Sequence, residues 1–423
     1  MLLNLLLTTA LSISLNLLYS QKKFKQFVKQ NTVAIKSISP EATDYTDLET
    51  IGDAIGDSRL VMFGEQDHGD APTFLAKTRL IKYLHEKKDF NVLAFESDFF
   101  ALNYGWDQTE KISPLSDSLI YNSIYPIWTR CNACSHLFFN YIPDTYKTKS
   151  PLQLTGFDNQ MSMGFSGKNL GKALDSVIRK LDLPIQNDDR YDSDITSVLN
   201  PIQGGGLKDT TLYHQRLIWL EEIKKQLADK LPPGDFWVQL VENVIQTNIQ
   251  YQTTHTDRLF SMNVRDKTMA ANLRWLINVK YPEEKIIVWA ANSHIARDVG
   301  SFNFSLGPNK KLVTMGSLLA NDSSINKNMY VLGFTSHHGE AGRLAGSKTK
   351  YTVYKPGPTF FESWIRDDFE YAFTNFQDYT ERNSSSSEPY YLRGFGHRVL
   401  QKERWHKIFD GMFFIRNMYS CIE

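Results

Sequence analysis

The stretch RLVMFGEQDHGDAPTFLAKTRLIKYL, residues 59–84, carries the turn on which the fold is read. Four apolar residues end in Gly64 and Glu65, His68 follows three positions later, and a helical pattern begins after Asp70. A short, continuous apolar run closed by a turn reads as a strand covered on both faces. The next segment places Phe74, Lys77, Ile81 and Leu84 at three- and four-residue steps, one face of a helix. Strand, turn and helix in that order set Glu65 and His68 at the carboxyl edge of a sheet, where open α/β sheets form their binding crevices.

The same arrangement recurs along the chain. FNVLAFES (90–97) delivers Glu96, LQLTGFD (152–158) delivers Asp158, and KIIVWAANSHI (285–295) delivers Asn292 and His294. Further strands are expected in KLVTMGSLL (311–319), NMYVLGFTS (328–336), YTVYK (351–355) and MFFIRN (412–417). Residues 165–280 read as almost entirely helical, through LYHQRLIWLEEIKKQL (212–227), FWVQLVENVIQTNIQYQ (236–252) and VRDKTMAANLRWLINV (264–279). The fold class is therefore α/β: a largely parallel central sheet with flanking helices and an inserted helical subdomain. Residues 21–164 and 281–423 form the two parts of the core around the 165–280 insertion, and ERNSSSSEP (381–389) reads as a surface loop.

Four strand ends that each carry a polar group describe a shared cleft. A histidine titrates near neutrality and suits general-base work, so His68 is the candidate base. Glu65 would accept its other N–H and fix the tautomer, and Glu96 would tune its charge. His294 and Lys77 would bind a carbonyl oxygen as it gains charge. The plain alternative for Lys77 is a stem that runs past the core to water, and Arg79 reads as a solvated charge. Neither a G-x-S-x-G elbow nor an H-E-x-x-H helix is present, so a serine esterase and the common zinc protease are set aside. A metal held by Glu65, His68, Glu96 and His294 is chemically allowed, but a carboxylate-supported His68 activates water without one. No cofactor and no metal are assigned. His337 and His338 read as a solvated loop pair, and the remaining histidines, His397 among them, as structural.

These residues resemble a known family. GEQDHGDAPTFLAKTRLIKYL, FNVLAFES, LTGFDNQ, RDKTMAANLRWL, KIIVWAANSHI and the final FDGMFFIRN follow the order seen in erythromycin esterase-like proteins, over about residues 45–417. The resemblance implies an α/β core with an inserted helical region and hydrolysis of an ester or lactone. It implies a histidine base at His68, acids at Glu65 and Glu96, and a later histidine at His294. Arg265 and Asp266, in the RDKTMAANL segment, are placed at the cleft on the same ground and join Lys77, Asp158 and Asn292 as substrate-binding candidates. Esterases that act on macrolides carry arginine where this chain has Lys77, and a histidine where it has Ala291. The resemblance therefore extends to the reaction class rather than to erythromycin itself. Members linked to exopolysaccharide synthesis give the rival reading, a binding protein of this fold in envelope polysaccharide handling.

The resemblance implies a small-molecule ester or lactone as the partner, and composition argues against nucleic acid. Lys+Arg and Asp+Glu both total 47, so no basic excess exists for nucleic acid. Residues 1–19 are uncharged and leucine-rich, followed by the basic QKKFKQFVKQ; this reads as a signal peptide over 1–20, hence an exported protein with no stable membrane insertion once it is cut. A retained anchor is the alternative. Of three cysteines, Cys131 and Cys134 form C-x-x-C, read as a short-loop disulfide or two buried thiols, while Cys421 is given no role.

Overall fold

The computed structural model describes residues 22–202, 206–299, 310–345, 349–382 and 389–423; the expected signal peptide lies outside them. Among the described residues there are eleven strands: β1 (Val33–Ile35), β2 (Leu60–Phe63), β3 (Phe90–Asp98), β4 (Gln153–Asp158), β5 (Lys285–Trp289), β6 (Met329–Ala341), β7 (Tyr351–Val353), β8 (Tyr371–Asn375), β9 (Tyr390–Leu392), β10 (Gln401–Glu403) and β11 (Gly411–Met418). Nine of them form one sheet in the order β4-β3-β5-β2-β6-β11-β8-β1, with β7 on the end of β6. From β4 to β11 every neighbouring pair is parallel; β8, β1 and β7 join antiparallel.

Burial explains the apolar runs. In β2, Leu60 and Met62 enter the apolar cluster on one face of the sheet, Val61 and Phe63 the cluster on the other. The first cluster includes the helices Gly164–Lys180, Thr210–Lys230, Phe236–Thr253 and Arg258–Trp275. The inserted helices are thus a layer on the sheet and share its core. The second cluster includes the Ala71–Lys88 helix and the short helices between β3 and β4. Order in the sheet matters for function. Because β5 enters between β2 and β3, the ends of β2, β5, β3 and β4 lie side by side although they are far apart in the chain.

A buried amide pair seats the last inserted helix on β4. Asn272 Nδ2 donates to the Phe157 carbonyl (2.9 Å) and to Asn243 Oδ1 (2.6 Å), while Asn243 Nδ2 returns a bond to Asn272 Oδ1 (2.8 Å). That helix carries Arg265 and Asp266, so the pair also sets their height above the sheet.

Three expectations are corrected. KLVTMGSLL is no strand: residues 315–320 are a helix, with Thr314 and Ser317 in a reciprocal capping box that outweighs the β-branched Val313 and Thr314. Arg79 is buried and grips Asp47 with both terminal nitrogens, at 2.9 and 2.7 Å, where solvent was expected. The disulfide joins Cys131 to Cys421, 290 residues apart, and Cys134 is the free, buried thiol. Backbone pairing between Asn132 and Ile422 brings those two sulfurs together, a contact that cysteine spacing does not encode.

Asn272→Leu keeps the branched shape but takes away the side-chain partners of the Phe157 carbonyl, Asn243 Oδ1 and Gln239 Nε2. It should lower stability by about 3 kcal/mol, measured by urea unfolding at constant m-value.

Candidate active site

The turn after β2 is built around Asn292. Its Nδ2 donates to the carbonyls of Phe334 (2.7 Å) and Gly394 (2.6 Å), and its Oδ1 accepts from the Phe334 amide (3.1 Å). A Cβ at Gly64 would lie 1.8 Å from that Oδ1, so only glycine fits there. Asn292 is fully buried and clamps strand ends; its expected substrate contact is corrected accordingly.

Glu65 leaves this turn pointing inward and collects three donors. Lys77 Nζ lies at 2.6 Å from Oε2, while His68 Nδ1 at 2.7 Å and Trp128 Nε1 at 3.3 Å meet Oε1. Lys77 has no exposed surface. Its ammonium sits over the Trp289 ring, 4.4 Å from the centroid, and also reaches the Ala290 carbonyl. The expectation that Lys77 faces substrate is therefore wrong, as is the alternative that it reaches water: the helix turns this position onto the sheet. Burial lowers the Lys77 pKa against the pull of Glu65 and Glu96. With Nδ1 turned to Glu65, His68 keeps Nε2 for chemistry, on a side chain about 20% exposed. Nε2 has no partner among the described residues. Trp128, which the sequence did not single out, packs edge-on to the imidazole at 5.0 Å and walls the other side.

Beside this half lies a second one. Glu96 accepts from Arg265 Nη2 (2.8 Å) and from the Ala291 amide (2.9 Å), which ties β3 to the turn after β5. Arg265 also grips Asp158, through Nε at 3.1 Å and Nη2 at 2.7 Å. Asp158 is fully buried and acts on Arg265, so it too is corrected from substrate contact to support. Asp266 holds His294 Nδ1 at 2.9 Å and is itself fixed by the Met315 amide at 2.8 Å. Asp266 is buried and acts on His294, so it too supports another residue instead of offering a substrate contact, whereas Arg265 on the same helix keeps some exposed surface.

Electrostatics joins the halves. Burial would push the Glu96 carboxyl up, but His294, Arg265 and His68 outweigh it and hold it at about 2. For His294 burial opposes the charge, and the Asp266 and Glu96 carboxylates overcome it, so its pKa is raised. The two forms use different contacts at Nε2. Neutral His294 accepts from Arg265 Nη1 at 3.1 Å; protonated, it faces Glu96 Oε1 at 3.4 Å. We take the protonated form to be favoured over that of an ordinary histidine, because two carboxylates outweigh one guanidinium. Of the residues expected at the site, Glu65, His68, Glu96, His294, Arg265 and Asp266 are brought together. Lys77, Asp158 and Asn292 lie behind them.

Two outer supports escaped the sequence reading. Asp67 is gripped by Arg343 and by Tyr351 Oη (2.6 Å), and Asp70 by His397 Nε2 (2.8 Å), whose Nδ1 meets Ser336 Oγ at 3.0 Å. The GEQDHGD turn is held from both ends. His337 and His338 contact each other through Nδ1, 2.9 Å apart, at the end of β6.

The family model for erythromycin esterase matches residues 85–418, a span that holds Glu96, Asp158, Arg265, Asp266 and His294 and begins after His68. The chain is 28% identical over 337 residues to a Bacillus subtilis protein named "Putative hydrolase YbfO", covering 74% of this chain and 72% of that one. It is 22% identical over 315 residues to erythromycin esterase type I of Escherichia coli, covering 67% and 72%. Among solved structures, a succinoglycan biosynthesis protein superposes with TM-score 0.71 at 19% identity, over 95% of this chain and 99% of that one. A mutant of erythromycin esterase EreC in its open conformation gives 0.66 at 16%, over 92% and 98%. At these identities the structures establish the fold alone.

The charge pattern predicts an acid-labile core. Glu96 ionises at about 2 against the usual 4.5, so its charge stabilises the fold above pH 4.5, and that share is lost as pH falls toward 2. His294 runs oppositely: its raised pKa stabilises below pH 6.5 and fades as pH rises through the folded value. Unfolding free energy should fall by about 3 kcal/mol between pH 5 and 2 from Glu96, and Glu96→Gln should flatten that slope in denaturant titrations.

Proposed function

This chain belongs to the erythromycin esterase family, a family of hydrolases, and on that premise we propose that it cleaves an ester or lactone with water activated by His68. The observation that carries the reading is the Glu65–His68 pair with Lys77 beneath it, which leaves Nε2 without a partner among the described residues on a partly exposed side chain. Nε2 takes a proton from water while the water oxygen attacks the carbonyl carbon. The oxyanion that forms is met by the Arg265 guanidinium and the His294 imidazole, both of which keep some exposed side-chain surface. Collapse breaks the acyl C–O bond, and the His68 imidazolium returns its proton to the leaving alkoxide. The products are a carboxylic acid and an alcohol, with no covalent enzyme intermediate.

Metal-free water activation is part of this proposal. Arg265 already pairs with Glu96 and Asp158, so a divalent ion at those acids would have to displace a guanidinium held to them by three hydrogen bonds. Lys77 adds a fixed positive charge behind Glu65. Placement outside the cytoplasm is also part of the reading. It rests on the leucine-rich residues 1–19 and on the Cys131–Cys421 disulfide, which suits an oxidising compartment.

Purified protein is to be screened against aryl esters, simple lactones and macrolides. His68→Ala should lower kcat at least ~100-fold while circular dichroism stays native. Dialysis against a strong chelator should leave the rate unchanged. Activity that vanishes on chelation and returns with stoichiometric Zn²⁺ or Mn²⁺ would contradict the metal-free step, and binding without turnover across the panel would favour the polysaccharide-binding alternative.

A further inference from the structure

The C-terminal tail runs beside the proposed base. Past β11, the Cys421 amide donates to the Gly69 carbonyl (2.9 Å), the Ala71 amide donates to Tyr419 (3.2 Å), and Ser420 forms an antiparallel bridge with Asp70. These contacts fall on the three residues directly after His68. The outer edge of the tail is held in turn, because the Asn132 amide donates to the Ile422 carbonyl at 2.9 Å. Cys131, whose amide donates to the Trp128 carbonyl at 3.1 Å, is bonded to Cys421. The Trp128 indole in turn donates to Glu65 and packs on His68. A closed ring of contacts results: His68, Gly69–Ala71, the tail, the disulfide, Trp128 and Glu65.

Beyond these contacts, Ser420 Oγ donates to Glu340 Oε1 at 3.2 Å. The last residues of the tail, Ile422 and Glu423, are exposed, and the Arg130–Glu423 contact is a solvent-facing pair at 3.9 Å, a weak hold. On the far side of the turn, a Cβ at Gly69 would lie 1.9 Å from the Gly342 carbonyl. The Gly69 backbone is thus pressed between the Gly342 segment and the tail, and a tail that moves away removes one wall of that slot. The second half of the site, Asp266 with His294, has no member in the ring.

We propose that the Cys131–Cys421 disulfide is a positioning brace for His68, locking the tail between the residues that follow the base and the Trp128 wall. Opening it frees the tail and lets the base turn drift from Glu65, while the Asp266–His294 half keeps its geometry. Reduction supplies the natural way to open it: two electrons and two protons from a dithiol convert the bond to two thiols, and the dithiol closes to its own disulfide. Cys134 is a poor internal substitute, since burial pushes its thiol up and keeps it protonated. The consequence for turnover rests on the proposed hydrolysis; the effect on His68 does not.

The test replaces both bonded cysteines, Cys131→Ser with Cys421→Ser, in the full chain. Three readouts are taken: amide exchange at residues 71, 132 and 421, imidazole NMR signals of His68 and His294, and kcat with KM on whichever ester the wild type cleaves. The brace predicts at least ~10-fold faster exchange at those amides, shifted His68 signals beside unchanged His294 signals, and a kcat at least ~10-fold lower with native circular dichroism. His68 signals at wild-type positions would overturn it, and so would His68 and His294 signals that move together, which marks general loosening. Should the serine variant fail to fold, the same readouts are taken on folded wild type after dithiol reduction, and judged by the same results. If the wild type cleaves nothing, the hydrolase reading fails alone, and exchange with the NMR signals still decides the brace.

Discussion

One buried contact, Lys77 Nζ to Glu65 Oε2 at 2.6 Å, underlies the arrangement of the first histidine. An ionised carboxylate with no solvent access is expensive unless a counter-charge and hydrogen bonds replace water. Lys77 supplies the charge, and His68 and Trp128 complete the shell. Removing the ammonium would leave the buried Glu65 carboxylate without its counter-charge, and the grip on His68 Nδ1 would change with it. The lysine thus acts on the chemistry through one intermediary.

The second half repeats the principle with Arg265. Four carboxylates, Glu65, Glu96, Asp158 and Asp266, meet two fixed cations, Lys77 and Arg265. Four against two leaves a deficit of positive charge, and His294, between Asp266 and Glu96, is placed to fill part of it. The raised pKa of His294 follows from that deficit, with Asp266 and Glu96 as its immediate sources. The sheet makes the convergence possible. With β5 between β2 and β3, each acid needs only its own strand end to arrive, and the Ala291 amide joins Glu96 across the seam.

Much of this was legible because strand ends report position. The runs before Glu65, Glu96, Asp158 and Asn292 are apolar on both faces, which located them in a covered parallel sheet and their polar termini at its carboxyl edge. Direction was not legible. Lys77 and Arg79 share a helix whose three- and four-residue steps say which face each is on, but not that both faces meet acids. Asn292 shows the same limit: its neighbours Phe334 and Gly394 lie 42 and 102 residues away, so no local pattern distinguishes a staple from a ligand contact. Trp128 and Cys421 belong to this class as well, because their roles arise where distant segments pack. The misread strand at 311–319 is different, a local error in which a capping box was present in sequence and β-branching was weighed above it.

The central claim is that Glu65 fixes His68 with its proton on Nδ1 and its lone pair on Nε2 toward the crevice. It is tested most directly by the ¹⁵N shifts of the His68 imidazole in the neutral form, in wild type and in Glu65→Gln. The account predicts the Nδ1–H tautomer in wild type and its weakening or loss in the variant. A wild-type imidazole with its proton on Nε2, or a tautomer indifferent to Glu65, would contradict it.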